Sequence, residues 1–242
     1  IIRITHGSWD LELSRDEAAQ ITALAERLPS DVKDFLVGEM RTWSHDAAGK
    51  ITAAGFTFDA RGRRTADPER SYAWDAADRL RNYQMPSSGL GVSFDYTALG
   101  QVARRQGPDG VTEYFYHQAL PGRPLVAEKE NGHFVRFYVY APDGKLVYLV
   151  ENPGEDPQAL FPHFDHLGTT RFLTGEDGAV TDTYAYAPYG ALVRHEGPHH
   201  QPFTWVGEWG VFQEGASGLY WMRARWYDSF TGRFLTRDPL WP

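Results

Sequence analysis

Two carboxylates near the C-terminal end, Asp228 and Asp238, flank the short run Gly232-Arg233-Phe234-Leu235, and Arg237 directly precedes the second. Two carboxylates that share a site can be forced to hold one proton between them, which is the basis of aspartic-protease chemistry. The mechanical reading of the same residues is that Asp228 caps a turn and Asp238 starts one. A second constellation is His163, Asp165 and His166, two imidazoles and a carboxylate, which are donor types that zinc takes. On a strand, however, His163 and Asp165 share one face while His166 enters the turn, so no metal is expected there. His199-His200, between Pro198 and Pro202, reads as an exposed loop. Ser217 in Gly215-Ala216-Ser217-Gly218 lacks the spacing of a nucleophile elbow. The chain has no cysteine, which removes disulfides, thiolate metal sites and thiol nucleophiles. No cofactor is expected.

The charge balance narrows the partners. The chain of 242 residues carries a formal net charge of -8, and no basic block is long enough to track phosphates. Arg61, Arg63 and Arg64 cluster, but Asp59 and Asp67 flank them, the pattern of a solvated turn. No nucleic-acid partner is expected. No apolar run approaches the ~18 residues of a membrane span. The stripe Trp221, Arg223, Arg225 and Tyr227 is explained by alternating strand sides better than by a base-stacking platform, which would lie in a basic groove.

The elements that would hold these residues change along the chain. In residues 14–41, Ser14-Arg15-Asp16-Glu17 has the form of a capping box, and Ile21, Leu24, Ala25 and Leu28 follow at helical spacing. Pro29 interrupts, and Ser30 or Asp31 can cap a second helix carrying Val32, Phe35 and Leu36. The pattern predicts a helical pair, or one kinked helix, within residues 1–41. From Trp43 the period becomes two, and a repeat of the form aromatic-x-aromatic-Asp-x-x-Gly-x-apolar emerges. Copies are Trp43-Ser44-His45-Asp46-Ala47-Ala48-Gly49-Lys50-Ile51, then Phe56 to Arg64, then Tyr72 to Leu80 with Asp78 in the glycine slot. Phe94-Asp95 continues to Gly100-Gln101-Val102 with what reads as an extra loop residue. Tyr114-Phe115-Tyr116 and Tyr138-Val139-Tyr140 head degenerate copies.

Each copy predicts a hairpin. Residues i and i+2 of the strand share a face, the aspartate ends the strand and accepts turn N–H groups, and the glycine takes positive φ. The closing apolar residue, Ile51 or Leu80, then packs across from the incoming aromatic. A single hairpin is marginal, so neighbours must stack into a ribbon that buries a continuous face. The fold class expected is mainly β: antiparallel hairpin repeats forming a curved ribbon or partial shell, with the short helical segment at its N-terminal end.

The repeats resemble YD repeats, the units of bacterial Rhs shells and of the related teneurins. The run Gly218-Leu219-Tyr220-Trp221-Met222-Arg223-Ala224-Arg225-Trp226-Tyr227-Asp228, continuing to Gly232-Arg233-Phe234-Leu235 and Asp238-Pro239, resembles the Rhs-repeat-associated core. Asp165-His166-Leu167-Gly168-Thr169-Thr170-Arg171 and Tyr184-Ala185-Tyr186-Ala187-Pro188-Tyr189-Gly190 are similar to that core too. The resemblance implies three stretches: an N-terminal segment over 1–41, YD hairpins over 42–160 and the core over 161–242. It implies a wall that encloses a toxic C-terminal domain for delivery in interbacterial competition. The partners it implies are a toxin cargo and a secretion apparatus or chaperone. The setting it implies is secreted or cell-surface in a bacterium, with a cytoplasmic stage before export. Many Rhs and Tc-toxin C proteins cut themselves between shell and toxin. By that resemblance Asp238 and Arg237 fall on the first Asp-Pro motif and its arginine, and Asp228 on the Tyr-Asp position. The second Asp-Pro motif, which carries the scissile bond, is not in this sequence. The chain opens at Ile1 and is expected to be a piece of something longer, with no catalysis in this stretch. A teneurin-like module that binds carbohydrate or a receptor is the further alternative.

Overall fold

The computed structural model describes residues 2–6, 9–15, 21–27, 43–215 and 217–238, the first three ranges as strands only. Strands β1 (Ile2–His6), β2 (Trp9–Arg15) and β3 (Ile21–Arg27) form a three-stranded antiparallel sheet in which Leu13 stands opposite Leu24. This corrects the first predicted helix. A short apolar run fits both periods, Ile21 and Thr22 open it with β-branched residues, and pairing with β2 supplies a ladder that propensity alone does not reveal. The second predicted helix lies outside the described residues.

The rest is an antiparallel meander. Strands β4 (Thr57–Phe58), β5 (Arg64–Ala66), β6 (Ser71–Trp74), β7 (Leu80–Met85), β8 (Leu90–Tyr96), β9 (Val102–Gly107) and β10 (Gly110–Tyr116) run in chain order. They continue as β11 (Leu125–Glu130), β12 (His133–Tyr140), β13 (Leu146–Glu151), β14 (Gln158–Phe164), β15 (Thr170–Thr174), β16 (Val180–Tyr186) and β17 (Leu192–Glu196). Each pairs with its sequence neighbours in one 14-stranded sheet, which does not close into a barrel: β4 stands at one end and β17 at the other. A 3-10 turn, Gly207–Trp209, leads into a separate four-stranded sheet of β18 (Phe212–Glu214), β19 (Leu219–Met222), β20 (Arg225–Asp228) and β21 (Arg233–Phe234).

The turn chemistry of the repeat is as expected. Asp59 Oδ1 accepts the N–H groups of Arg61 and Arg63 at 3.0 Å each, and Gly62 sits at φ 80°. Asp75 does the same for Ala77 and Arg79, with Asp78 at φ 62° where Gly62 stands one repeat earlier. One copy needs a new register. The turn after β8 is closed by Thr97, whose Oγ1 accepts the Gln101 N–H at 3.2 Å, so Thr97 fills the aspartate slot and no residue is extra. Asp95 instead stands among the strand residues, 3.3 Å from Arg81 and 3.7 Å from Arg104.

Two features join the hairpins into a wall. The first is a bulge that recurs just after the closing apolar residue. Trp74 pairs with Leu80 but Ala73 with Asn82, and Tyr140 pairs with Leu146 but Val139 with Tyr148. The extra residue re-aims the strand, so Leu80 and Tyr83, three apart, are both buried, as are Leu146 and Leu149. The second is a hydrogen bond from the last aromatic of one repeat to the preceding hairpin. Tyr96 Oη donates to Leu80 O at 2.8 Å, Tyr140 Oη to Leu125 O at 2.7 Å and Tyr186 Oη to Thr170 O at 2.9 Å. The tyrosine thus buries its ring and still satisfies its hydroxyl on a backbone carbonyl. One hydrophobic cluster results, running from Tyr72 and Leu80 through Leu149 and Leu173 to Trp226 and Leu235.

Candidate functional site

The C-terminal sheet lies against the core-facing side of the meander and supplies the large rings there. Trp226 is 1% exposed; its ring lies 4.7 Å from Phe94, and its Nε1 donates to Tyr96 Oη at 3.0 Å. Trp221 packs 5.8 Å from Tyr96, Phe212 stacks 5.4 Å from Tyr114, and Phe203 meets Tyr138 edge-on at 4.8 Å. The aromatic stripe of this segment is therefore interior packing, with Trp221 and Trp226 both buried.

Asp228 ends β20 inside this joint and is completely buried. Arg64 Nη1 donates to Oδ2 at 2.7 Å, Arg70 Nη2 to Oδ1 at 3.1 Å and Thr231 Oγ1 to Oδ2 at 2.7 Å. Asp67 extends the network: it accepts from Arg70 Nε at 3.2 Å and from Tyr72 Oη at 2.5 Å. Burial alone pushes the Asp228 carboxyl up, but the Arg70 and Arg64 guanidiniums outweigh it and hold the pKa below the ordinary value. The carboxylate stays ionised and joins the last sheet to β5 and to the turn before β6, with 164 positions between Asp228 and Arg64. Arg64 is accordingly a correction: the sequence pattern puts it in a solvated turn, yet it is 1% exposed. Arg61 does stay at the surface, paired with Asp78 at 2.8 Å. A second tie of this kind joins Glu214 to Arg105 Nε at 2.7 Å and to the Tyr83 hydroxyl.

Asp238 and Arg237 sit differently. The Asp238 side chain is 44% exposed and pairs with Arg225 Nη2 at 3.0 Å. Arg237 is exposed and lies over Gly62, where an added Cβ would stand 2.6 Å from its Nε. Asp228 and Asp238 are thus held by different arginines, one pair in the interior and one at the surface.

A polar cleft of about 580 Å³ opens beside the core, with Arg105, Glu128, Arg136, His195, His199 and His200 among its walls. Arg136 bridges Glu151 at 2.9 Å and Glu128 at 3.0 Å, and Tyr138 Oη donates to Glu128 at 2.6 Å. Burial raises the Glu128 carboxyl pKa, and Arg136 only partly offsets it. His195 Nε2 lies 2.8 Å from Asp182 Oδ1, and His199 Nδ1 lies 2.8 Å from Glu151 Oε2. His199 lies in the loop after β17, as the sequence reading has it, but its side chain is half-buried and tied into the wall, which corrects the expected exposure; His200 is exposed. The His163 constellation disperses: His163 stacks on Phe172 at 4.3 Å and its Nε2 meets Thr174 Oγ1 at 3.0 Å, while Asp165 accepts the Leu167 and Thr169 N–H groups. Among the described residues no three His, Cys, Asp or Glu side chains gather in a way that holds a metal ion. Ser217 Oγ donates to Glu214 O at 2.6 Å, a turn contact. Sequence reasoning missed Arg70 and Glu214 altogether. No local signal marks them: Arg70 stands between Glu69 and Ser71, and Glu214 between Gln213 and Gly215.

Stacked hairpins with one shared aromatic core, sealed by a C-terminal sheet through buried ion pairs, define a β-hairpin repeat wall. The model of the Teneurin YD-shell family matches residues 39–241, and the chain belongs to that family. It is an Rhs/YD-repeat chain. It is 24% identical over 191 residues to the tRNA3(Ser)-specific nuclease WapA of Bacillus spizizenii, covering 78% of this chain and 8% of that protein. It is 27% identical over 237 residues to the Toxin protein Tse5 of Pseudomonas aeruginosa, covering 82% of this chain and 18% of that one. Among solved structures it is similar to a chain of the Photorhabdus luminescens Tc holotoxin pore carrying the mutation TccC3-D651A, at TM-score 0.37 and 13% identity, covering 99% of this chain and 17% of the other. The chain thus spans less than a fifth of these relatives. Among the described residues no helix is long and apolar enough to cross a membrane.

Proposed function

We propose that this chain forms part of the wall of an exported Rhs shell that encloses a toxic polypeptide and helps deliver it to a competing cell. The observation that carries this reading is the open meander. Four strands, ending at Tyr96, Tyr116, Tyr140 and Tyr186, pass a tyrosine hydroxyl to the hairpin before, and the sheet ends on unclosed strands at β4 and β17, so further repeats can extend the wall in register. Likeness to proteins named as a toxin and as a tRNA nuclease supports a toxic cargo. A secretion apparatus or chaperone is the further partner. The test is limited proteolysis of a longer parent chain with mass-spectrometric mapping. Cargo peptides are expected to be released at least tenfold more slowly from the intact shell than from the isolated cargo. Equal release rates would sink enclosure and leave a surface-binding module.

A second reading is favoured by the accessibility of Asp238. An exposed carboxylate paired with Arg225 and next in sequence to Arg237 can take and give a proton during self-cleavage of a longer chain, whereas Asp228 is locked by two guanidiniums. In a chain that continues beyond residue 242, Asp238→Asn is expected to abolish cleavage on a gel time course, and Arg237→Ala to slow it. Cleavage that persists in Asp238→Asn leaves Asp238 a turn residue.

A further inference from the structure

A cleft of about 280 Å³ lies between the first described hairpins and the end of the C-terminal sheet, and its chemistry is one-sided. Lys50, Arg64, Arg225, Arg233 and Arg237 line it, and no carboxylate does. Two of these cations are already matched, Arg64 by Asp228 and Arg225 by Asp238. Lys50, Arg233 and Arg237 pair with no carboxylate among the described residues. Lys50 Nζ lies over the Phe58 ring at 5.7 Å, and Arg233 makes only a long 3.5 Å contact to Gly49 O. Arg64 also keeps a buried Nε–H without an acceptor. In a chain of net charge -8 this is a local excess of positive charge.

The cleft is also bounded by a sheet end. Arg233 and Phe234 belong to β21, the end strand of the C-terminal sheet. End strands present backbone N–H and C=O groups that an added strand can use. We infer that this cleft binds an extended acidic peptide, which lays its backbone along a sheet end and its carboxylates against Lys50, Arg233 and Arg237. An isolated anion would satisfy the cations and leave the end strand unused. In an extended peptide alternate side chains share a face, so acidic residues at every second position meet the cations together.

The probe is a fluorescein-labelled (Glu-Thr)5 peptide, with (Gln-Thr)5 as its neutral counterpart, titrated with the 242-residue protein by fluorescence anisotropy. The acidic peptide is expected to bind at least tenfold tighter than the neutral one at low salt, and to weaken as salt screens the contact. The pair Lys50→Glu and Arg233→Glu is expected to lower affinity at least tenfold. Should that pair unfold the protein, Lys50→Gln with Arg233→Gln decides, with a several-fold loss expected at an unchanged thermal midpoint. Arg81→Glu, on an exposed strand position paired with Asp95, is expected to leave affinity as it was. Absence of binding, equal binding of both peptides, or no loss in the Gln pair would overturn the inference. So would displacement of the peptide by inorganic phosphate at an equal concentration, which would make this a site for single anions.

Discussion

Asp228→Ala is expected to destabilise the protein by about 3–5 kcal/mol, the cost of breaking a buried ion pair from one side. The carboxylate is fully buried, and both guanidiniums that it holds, Arg64 and Arg70, are nearly so. Removing it leaves two cations in the interior with Asp67 as their remaining carboxylate, 3.8 Å from Arg64 and 3.2 Å from Arg70. Equilibrium unfolding in urea at pH 7 measures the loss, and a change below about 1 kcal/mol would show that the network relaxes around the gap. The pH dependence has a definite sign. The folded-state pKa of Asp228 lies below its ordinary value, so its stabilisation is complete above about pH 3.9 and is lost as pH falls through the folded value. The stability gap between the native protein and Asp228→Asn is therefore expected to be constant from pH 5 to 7 and to shrink below about pH 4. Glu128 works in the opposite direction. Burial raises its folded pKa, so its contribution is complete below about pH 4.3 and declines as pH rises through the folded value. A gap that widens in acid would contradict the ionised state of Asp228.

Trp226→Ala is expected to cost about 3–5 kcal/mol, the usual range for emptying a large aromatic from a packed core. The ring touches Phe94, Phe212 and Trp221, with centroid distances of 4.7, 6.3 and 5.2 Å. It also carries the one polar tie between its own strand and Tyr96, whose hydroxyl in turn reaches Leu80 O. Trp226→Phe keeps most of the contact with Phe94 but loses the Nε1 donor, so it is expected to lie between the native protein and the alanine variant. The C-terminal sheet should then loosen before the hairpins do, because their backbone ladders do not depend on it. Near-UV circular dichroism should fall in Trp226→Ala while the far-UV β signal persists. Full retention of the near-UV signal and of the urea midpoint would show that the C-terminal sheet is not anchored by this residue.

What the amino-acid order determines alone is local. The nine-residue repeat states its own strand, turn and return, because Asp59 caps its own turn and Gly62 supplies positive φ within four positions. The same locality let Asp75 to Leu80 be read correctly even though Asp78 replaces the glycine, since an aspartate tolerates the left-handed conformation. Register was harder. Asp95, an aspartate after an aromatic, has the local form of the capping residue, and only the strand pairing shows that Thr97 closes the turn. The recurrent bulge blurs the period of two, so the burial of both Leu80 and Tyr83 is not visible as alternation.

The functional residues divide along the same line. Asp238 and Arg237 lie next to each other in the chain and can be singled out there. The partners of Asp228 cannot, because Arg64 and Arg70 stand 164 and 158 positions away, and the arginines near Arg64 in the chain, Arg61 and Arg63, belong to the turn and its rim. A charged residue carries no local mark of whether it will meet water or a buried opposite charge. That was decided only when the C-terminal sheet packed against the first hairpins and removed solvent from both sides. The N-terminal segment shows the same rule for backbone: spacing favoured a helix over Ile21 to Leu28, and the neighbouring strand made Ile21–Arg27 a β-strand. Periodicity and turn chemistry act over a few residues, whereas desolvation and strand pairing act between surfaces that only the folded chain brings together.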